Sequence, residues 1–258
     1  MIPLSRLENE RQHGRRIGEQ AEDIWGWSTP AGRLRAQRRA DLFCQLGAFT
    51  LSHRLLEVGC GTGLFTRKVY EQTQAQIVAV DISEDLLEQA RQKLPSADFR
   101  VDDAMNLSFA DGAFDGVYGS SILHHLDLES ALREIYRVLK PGARMVFAEP
   151  NMLNPQILLQ KNVPWIKRWM GDAPDETAVV RWRMIERLTQ LGFEQVQAMP
   201  YDFLHPHTPK AMIKPVQWLG RHLEQIPVLR EIAGSVVITA QKPALAGSLI
   251  AKTQANLR

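Results

Sequence analysis

The sequence predicts an α/β fold: an open, mostly parallel sheet covered by helices on both faces. Two observations predict it. Short apolar runs of strand length alternate with longer stretches of helical period across residues 54–241, the pattern of parallel strands joined by crossover helices. The first run, Leu55, Leu56 and Val58, leads directly into glycines at 59, 61 and 63. Glycines on alternate positions have no side chains to bury, but they let the chain turn sharply and let a ligand approach the backbone closely.

Strands are expected at 54–58, 76–81, 98–101, 116–118, 144–149, 193–198 and 235–241, and helices at 64–72, 84–93, 128–139 and 180–191. Leu64, Phe65, Lys68 and Val69 change the period from that of a strand to that of a helix. Gln76-Ile-Val-Ala-Val-Asp81 is a buried strand that ends in an acid. Ser83, followed by Glu84 and Asp85, starts the next helix. Pro141-Gly142 stops the helix before the fifth strand, and Gly192 stops the following helix in the same way. The run from Ser235 to Gln241 supplies the last strand.

Before the first strand, 4–23 is highly charged and helical in type. Trp25-Gly26-Trp27-Ser28-Thr29-Pro30 breaks it, because Pro30 disfavours helix at Thr29. Helix resumes over 31–46, where Leu34, Arg38, Leu42 and Leu46 recur at fourfold spacing. Two further segments, 151–178 and 200–234, exceed what a sheet of this kind needs. Connections of that length usually carry function or structure of their own. Both are rich in tryptophan, leucine and isoleucine and read as helical caps over the carboxyl edge of the sheet, or else as additions to its core.

The 258 residues allow one large domain with attached subdomains. A net charge of +2 argues against an extended polyanionic partner. Cys44 and Cys60, one helical and one in the glycine loop, do not form a disulfide framework, so a reducing cytoplasm is the expected compartment. Residues 1–16 carry acids and arginines where a secretion signal carries an apolar core. Lys161, Lys167 and Arg168 flank Trp165 and Trp169, which leaves a peripheral membrane contact open.

A dinucleotide fingerprint requires Gly-x-Gly-x-x-Gly. Here the third glycine comes one residue early, at Gly63, and Leu64 takes the fingerprint position. Asp81 suits ribose hydroxyls, which says nucleoside without saying which one. The spelling Glu57-Val-Gly-Cys-Gly-Thr-Gly63 says more. It resembles motif I of the class I S-adenosylmethionine (SAM)-dependent methyltransferases. The resemblance continues at Val80-Asp81-Ile82-Ser83, Asp102-Asp103-Ala104-Met105-Asn106-Leu107, Phe114-Asp115-Gly116-Val117 and Leu139-Lys140-Pro141-Gly142-Ala143. These motifs follow the family's order and spacing over residues 54–150 and look most like its small-molecule and quinone methyltransferase branch.

The resemblance implies a Rossmann-like seven-stranded sheet with an antiparallel seventh strand, plus the helical caps. It implies SAM as cofactor and assigns roles around it. Backbone amides of Gly59, Cys60, Gly61 and Gly63 would hold the methionine end, with Glu57 directed to its amino group. Asp81 would take the ribose hydroxyls and Ile82 would pack on adenine. Asp103 would accept from the adenine amine beside the Ala104 amide, with Asp102 as a competitor for that role. Ser120 closes the edge next to the cofactor sulfur. The domain plan is an N-terminal helical lid at 1–50, a SAM-binding core at 51–150 and a cap insertion at 151–179. The C-terminal part of the sheet, 180–243, carries a second cap at 200–234, and 244–258 is a flexible tail.

A hydroxyl or amine acceptor must lose a proton when it is methylated, and a histidine is suited to take it. His125 or His124, after the fourth strand, is therefore a candidate base, the alternative being that they line the pocket or cap the next helix. Glu149, ending the fifth strand at the expected pocket mouth, is a second candidate, and positioning alone could suffice without a base. Arg33 or Arg35 could meet a ligand carboxylate, or remain solvated. His205-Pro-His207 lacks a third ligand at metal-site spacing, so no metal is expected. The leading expectation is methyl transfer to a small, rather apolar acceptor. The alternatives are a nucleic-acid methyltransferase, a SAM-binding protein without catalysis, and an NAD dehydrogenase. The Asn/Asp-Pro-Pro-aromatic signature of base amino-methylation is replaced by Gly119-Ser-Ser-Ile, and the glycine spacing opposes NAD.

Overall fold

The computed structural model describes residues 6–163, 165 and 178–244. Seven strands form one sheet in the order β3-β2-β1-β4-β5-β7-β6. They are β1 (Arg54–Val58), β2 (Gln76–Asp81), β3 (Asp98–Val101), β4 (Phe114–Ser120), β5 (Leu139–Pro150), β6 (Glu194–Tyr201) and β7 (Ser235–Gln241). The first five are parallel, and β7 runs antiparallel between β5 and β6. The expected seven-stranded sheet with a reversed last strand is therefore present.

Side chains alternate between the two faces of each strand. Leu56, Val58, Val80, Val117 and Phe147 pack on one face against α6 (Leu128–Val138) and α8 (Arg181–Gln190). Leu55, Ile77, Ala79, Tyr118 and Val146 pack on the other, against α3 (Pro30–Gly47), α4 (Leu64–Thr73) and α5 (Glu84–Lys93). Burying a leucine or valine of this kind contributes about 1.5–3 kcal/mol.

Strands β1, β2, β3 and β7 match their expected bounds. β4 and β5 are longer, because Leu139 pairs with Phe114 before a register shift. Pro141-Gly142 thus bends a strand that has already begun; Gly142 takes a φ of +81° and donates to Lys242 O at 2.9 Å. The helix expected over 4–23 is interrupted. α1 (Arg6–Ile17) and α2 (Ala21–Ile24) are separated by a 3-10 turn at Gly18, where φ is +42°. α3 starts at Pro30, with Thr29 as its N-cap accepting from Gly32 N at 2.9 Å.

The leucines at fourfold spacing are not the residues that α3 buries most deeply. Leu34 is 42% exposed and Leu42 and Leu46 are half-buried, while Gly32, Ala36, Arg39, Ala40 and Phe43 are buried. Small residues win this face because the helix lies close to β5 and α4.

The first cap contributes α7 (Pro155–Asn162), capped by Asn154. Ile166, Lys167, Arg168, Trp169 and Met170, all expected in this cap, lie outside the described residues, as does the tail from 245 onward. The second cap holds α9 (Ile213–Leu223) and α10 (Pro227–Arg230). Ile213 is buried, but Trp165, Trp218 and Val228 are exposed, so the caps do not simply enlarge the core. Among the described residues no helix is long and apolar enough to cross a membrane.

Candidate functional site

A cavity of about 640 Å³ opens at the carboxyl edge of the sheet, between the strand ends, the segment around α2 and α3, and both caps. That volume suits a cofactor-sized molecule together with a second small ligand.

The glycine turn forms its floor. A Cβ on Gly59 would stand 2.4 Å from Ile122, and one on Gly61 would stand 3.1 Å from the Trp25 ring. Both have positive φ, at +68° and +51°, so glycine is required twice over. Gly63 has a different task. Its Cβ would lie 2.8 Å from that of Ala90, so this glycine lets α4 start tight against α5. It does not line the cavity. The expectation that the loop amides hold a ligand is corrected. The amides of Gly59 and Cys60 donate to Val80 O, that of Gly63 donates to Cys60 O, and that of Gly61 donates to Asp81 Oδ2. Four of the loop's amides are already engaged in fixing the turn; what the glycines supply is close approach.

Asp81 ends β2 at the cavity wall. Its Oδ2 accepts from Gly61 N at 2.8 Å and its Oδ1 from Ser83 N at 2.9 Å. Two amides therefore fix the orientation of this carboxylate at the wall. Ile82 lies beside it on the wall. After β3, Asp102 and Asp103 both reach the cavity, but they differ in employment. Asp102 accepts from the amides of Asp103 and Ser108 and from the Ser108 hydroxyl. Asp103 accepts from Met105 N at 3.0 Å, and Ala104 follows it, nearly buried. The loop geometry thus occupies Asp102 more fully.

Glu57 and Glu149 do not line the cavity. Glu57 is buried beneath the turn and accepts from Tyr118 Oη at 3.0 Å. Burial, reinforced by the charge of Asp81, pushes its pKa up to about 8. Between the ordinary carboxylate value and that figure the folded chain holds a proton the unfolded chain releases. Stability is then complete at low pH and falls as pH rises toward 8. Glu57→Gln is expected to flatten this slope. Its melting temperature should drop less than wild type's between pH 5 and 8.5, by roughly 3 °C or more. Parallel melting curves across that range would rule out a titrating Glu57.

Glu149 is fully buried behind His124. It accepts from the Ile122 and Leu123 amides at 3.0 and 2.9 Å, and its Oε2 lies 2.7 Å from His124 Nδ1. Burial alone would raise its pKa, but His124 and the two amides hold it below the usual carboxylate range. Its expected place at the pocket mouth is corrected: an ionised carboxylate stands behind the histidine because only there can three donors offset its burial. His124 and His125 both line the cavity, with rings 4.2 Å apart.

The sequence reading missed Arg39. This side chain, 3% exposed, reaches the cavity from α3 and bonds to Ser120, Ser121, Tyr201 and Ser235. The available signal was helical spacing, since Arg39 shares a face with Ala36, Ala40 and Phe43. Of the arginines singled out, Arg33 is exposed and bonds Ser28 O, while Arg35 lines the cavity but is paired with Asp202 at 2.8 Å. His205 also reaches the cavity, 3.2 Å from the Gln156 amide.

Residues 56–147 match a family model described as a methyltransferase domain. An O-methyltransferase of Penicillium expansum is 36% identical over 134 residues, covering 48% of this chain and 49% of that protein. A 2-methyl-6-phytyl-1,4-hydroquinone methyltransferase of a Synechocystis species is 30% identical over 183 residues, covering 64% and 56%. The chain spans about half the length of these curated relatives. Among solved structures, the cyclase SpnF superposes with a TM-score of 0.65 at 20% identity, over 93% of this chain and 98% of that one. A SAM-dependent methyltransferase of Thermotoga maritima does so with a TM-score of 0.64 at 19% identity, over 89% and 97%. At these identities the two structures bear on the fold alone.

Proposed function

We propose that the chain is a class I SAM-dependent methyltransferase, with SAM as cofactor, and that it transfers a methyl group to a small molecule with an apolar body. The observation that carries the proposal is the pairing of Asp81 with Asp103. These acids end consecutive strand units at one cavity wall, beside a turn with glycine at 59 and 61. The arrangement fits an adenosyl group: Asp81 for the ribose hydroxyls, Ile82 against adenine, Asp103 and Ala104 at its edge. The methionine end would lie over Gly59, Cys60 and Gly61, toward Ser120. The hydroquinone methyltransferase among the relatives supports the substrate class.

SAM supplies an electrophilic methyl group when bound. The rest falls to the chain. Glu149, ionised, accepts from His124 Nδ1–H, which leaves Nε2 as the basic ring nitrogen. His124 would then take the acceptor's proton, and the imidazolium would be stabilised by the carboxylate behind it. The His125 ring lies 4.2 Å from it, tilted by 39°. Residues 1–50 would act as a lid that excludes water. Trp25 already covers Gly61, and Glu22 accepts from the Thr62 hydroxyl at 2.8 Å. The described parts of the two caps would shape the acceptor chamber, with Ile157, Phe203 and Leu204 on its walls.

Calorimetry with SAM and with NAD tests the reading. SAM is expected to bind at micromolar affinity or tighter and NAD not at all. NAD binding with no SAM binding would replace the methyltransferase with a dehydrogenase.

A further inference from the structure

Among the described residues, Arg39 is a charge buried without a charged partner. A guanidinium carries five N–H donors. In this chain Nε donates to Tyr201 Oη at 3.2 Å, Nη1 to Ser120 Oγ at 2.8 Å and Ser121 Oγ at 2.9 Å, and Nη2 to Ser235 Oγ at 3.1 Å. Every one of these acceptors is a neutral hydroxyl. Among the described residues, the nearby acid Asp202 is paired with Arg35 instead, and Glu149 with His124. The rings of Trp27 and Phe65, centred 5.0 and 5.9 Å from the guanidinium carbon, offer it some compensation. They do not replace a counter-ion, since an uncompensated charge at this depth is costly.

The hydroxyls add a second observation. An oxygen that accepts from Arg39 still has its own O–H to donate. Ser120, Ser121 and Ser235 all line the cavity, as does Arg39 itself. Ser121 is held at a φ of +55°, where glycine would sit with less strain. The cluster therefore presents one remaining Nη2–H and several hydroxyl donors around a positive charge, with no described carboxylate in ion-pairing contact.

We infer that Arg39, with Ser120, Ser121 and Ser235, forms a carboxylate-binding site in the cavity wall. It takes either the methionine carboxylate of the cofactor or an acidic group on the acceptor. The inference rests on the cofactor reading above and adds to it a residue and a ligand group that the motifs do not assign.

The test is calorimetry on wild type and Arg39→Gln with two ligands. S-adenosylhomocysteine carries the carboxylate; 5′-methylthioadenosine keeps the adenosine and thioether and lacks the amino-acid end. If the cofactor's carboxylate occupies the site, the variant loses about 10- to 100-fold in homocysteine-ligand affinity and keeps its affinity for methylthioadenosine. If the acceptor supplies the group, both affinities hold. Benzoate titrated into the S-adenosylhomocysteine-saturated protein then binds wild type and not the variant. Should Arg39→Gln fail to fold by circular dichroism, the double variant Ser121→Ala/Ser235→Ala retains the arginine and should show the same pattern with a loss of about 3- to 10-fold. The site is overturned if neither ligand set depends on Arg39 or on the serines in folded protein. Retained binding of both adenosyl ligands would then leave the cofactor reading intact. If neither binds wild type, the cofactor reading fails and the site fails with it.

Discussion

Asp81→Ala is expected to weaken SAM binding by about two orders of magnitude. A hydrogen bond to a charged group contributes about 1.5–3 kcal/mol, and a ribose diol offers two of them to one carboxylate. The same substitution removes the acceptors for Gly61 N and Ser83 N, at 2.8 and 2.9 Å, and so loosens the turn that gives the ligand its close approach. Asp81→Asn retains one oxygen and should fall between the variant and wild type. His125→Ala, which touches neither amide, should bind SAM as wild type does. Calorimetry reads all three. Unchanged affinity in Asp81→Ala would remove the ribose assignment and, with it, the main support for an adenosyl ligand at this wall.

His124→Ala is expected to lower kcat about 100- to 10,000-fold with any acceptor that wild type turns over, the range usual for loss of a general base. Its affinity for SAM should not change. Glu149→Gln should lower kcat as well, by a smaller factor, because an amide cannot stabilise the imidazolium as a carboxylate does. It also forces the amides of Ile122 and Leu123 to share a weaker acceptor, so its melting temperature must be measured beside its rate. Labelled-methyl transfer reads the rate and calorimetry the binding. A His124→Ala protein that keeps kcat within about threefold would mean that holding the reactants together is sufficient, and the histidine would then be wall and no more.

The sheet was legible because its signals are local. β2 carries the apolar run Ile77–Val80 and β7 the run Val236–Ile238, each between punctuating residues, and glycine and acid positions mark the wall proposed for the adenosyl group. The opposite side, proposed to face the acceptor, was not legible, and the reasons are physical. Arg39 on α3 looks like one more helix charge until its face is known, and its face is set by Ala36 and Ala40, which carry no strong periodic signal. Glu149 reads as a strand-end acid; that it turns inward to meet His124 depends on two amides more than twenty residues away in the chain. Glu57 shows the opposite limit. Motif spelling directs it to a ligand, while burial against Tyr118 directs it under the turn.

The reversal of β7 has a consequence for how such a chain can diversify. Running against its neighbours, β7 begins where β6 ends, with Ser235 beside Tyr201 and opposite Pro150. Both anchors of the intervening segment therefore sit at the same rim. Residues can be added or deleted between them without moving any strand, and without disturbing the acids four and five places across the sheet. On the proposed function, selectivity for the acceptor can drift there while the wall proposed for the nucleoside stays as it is.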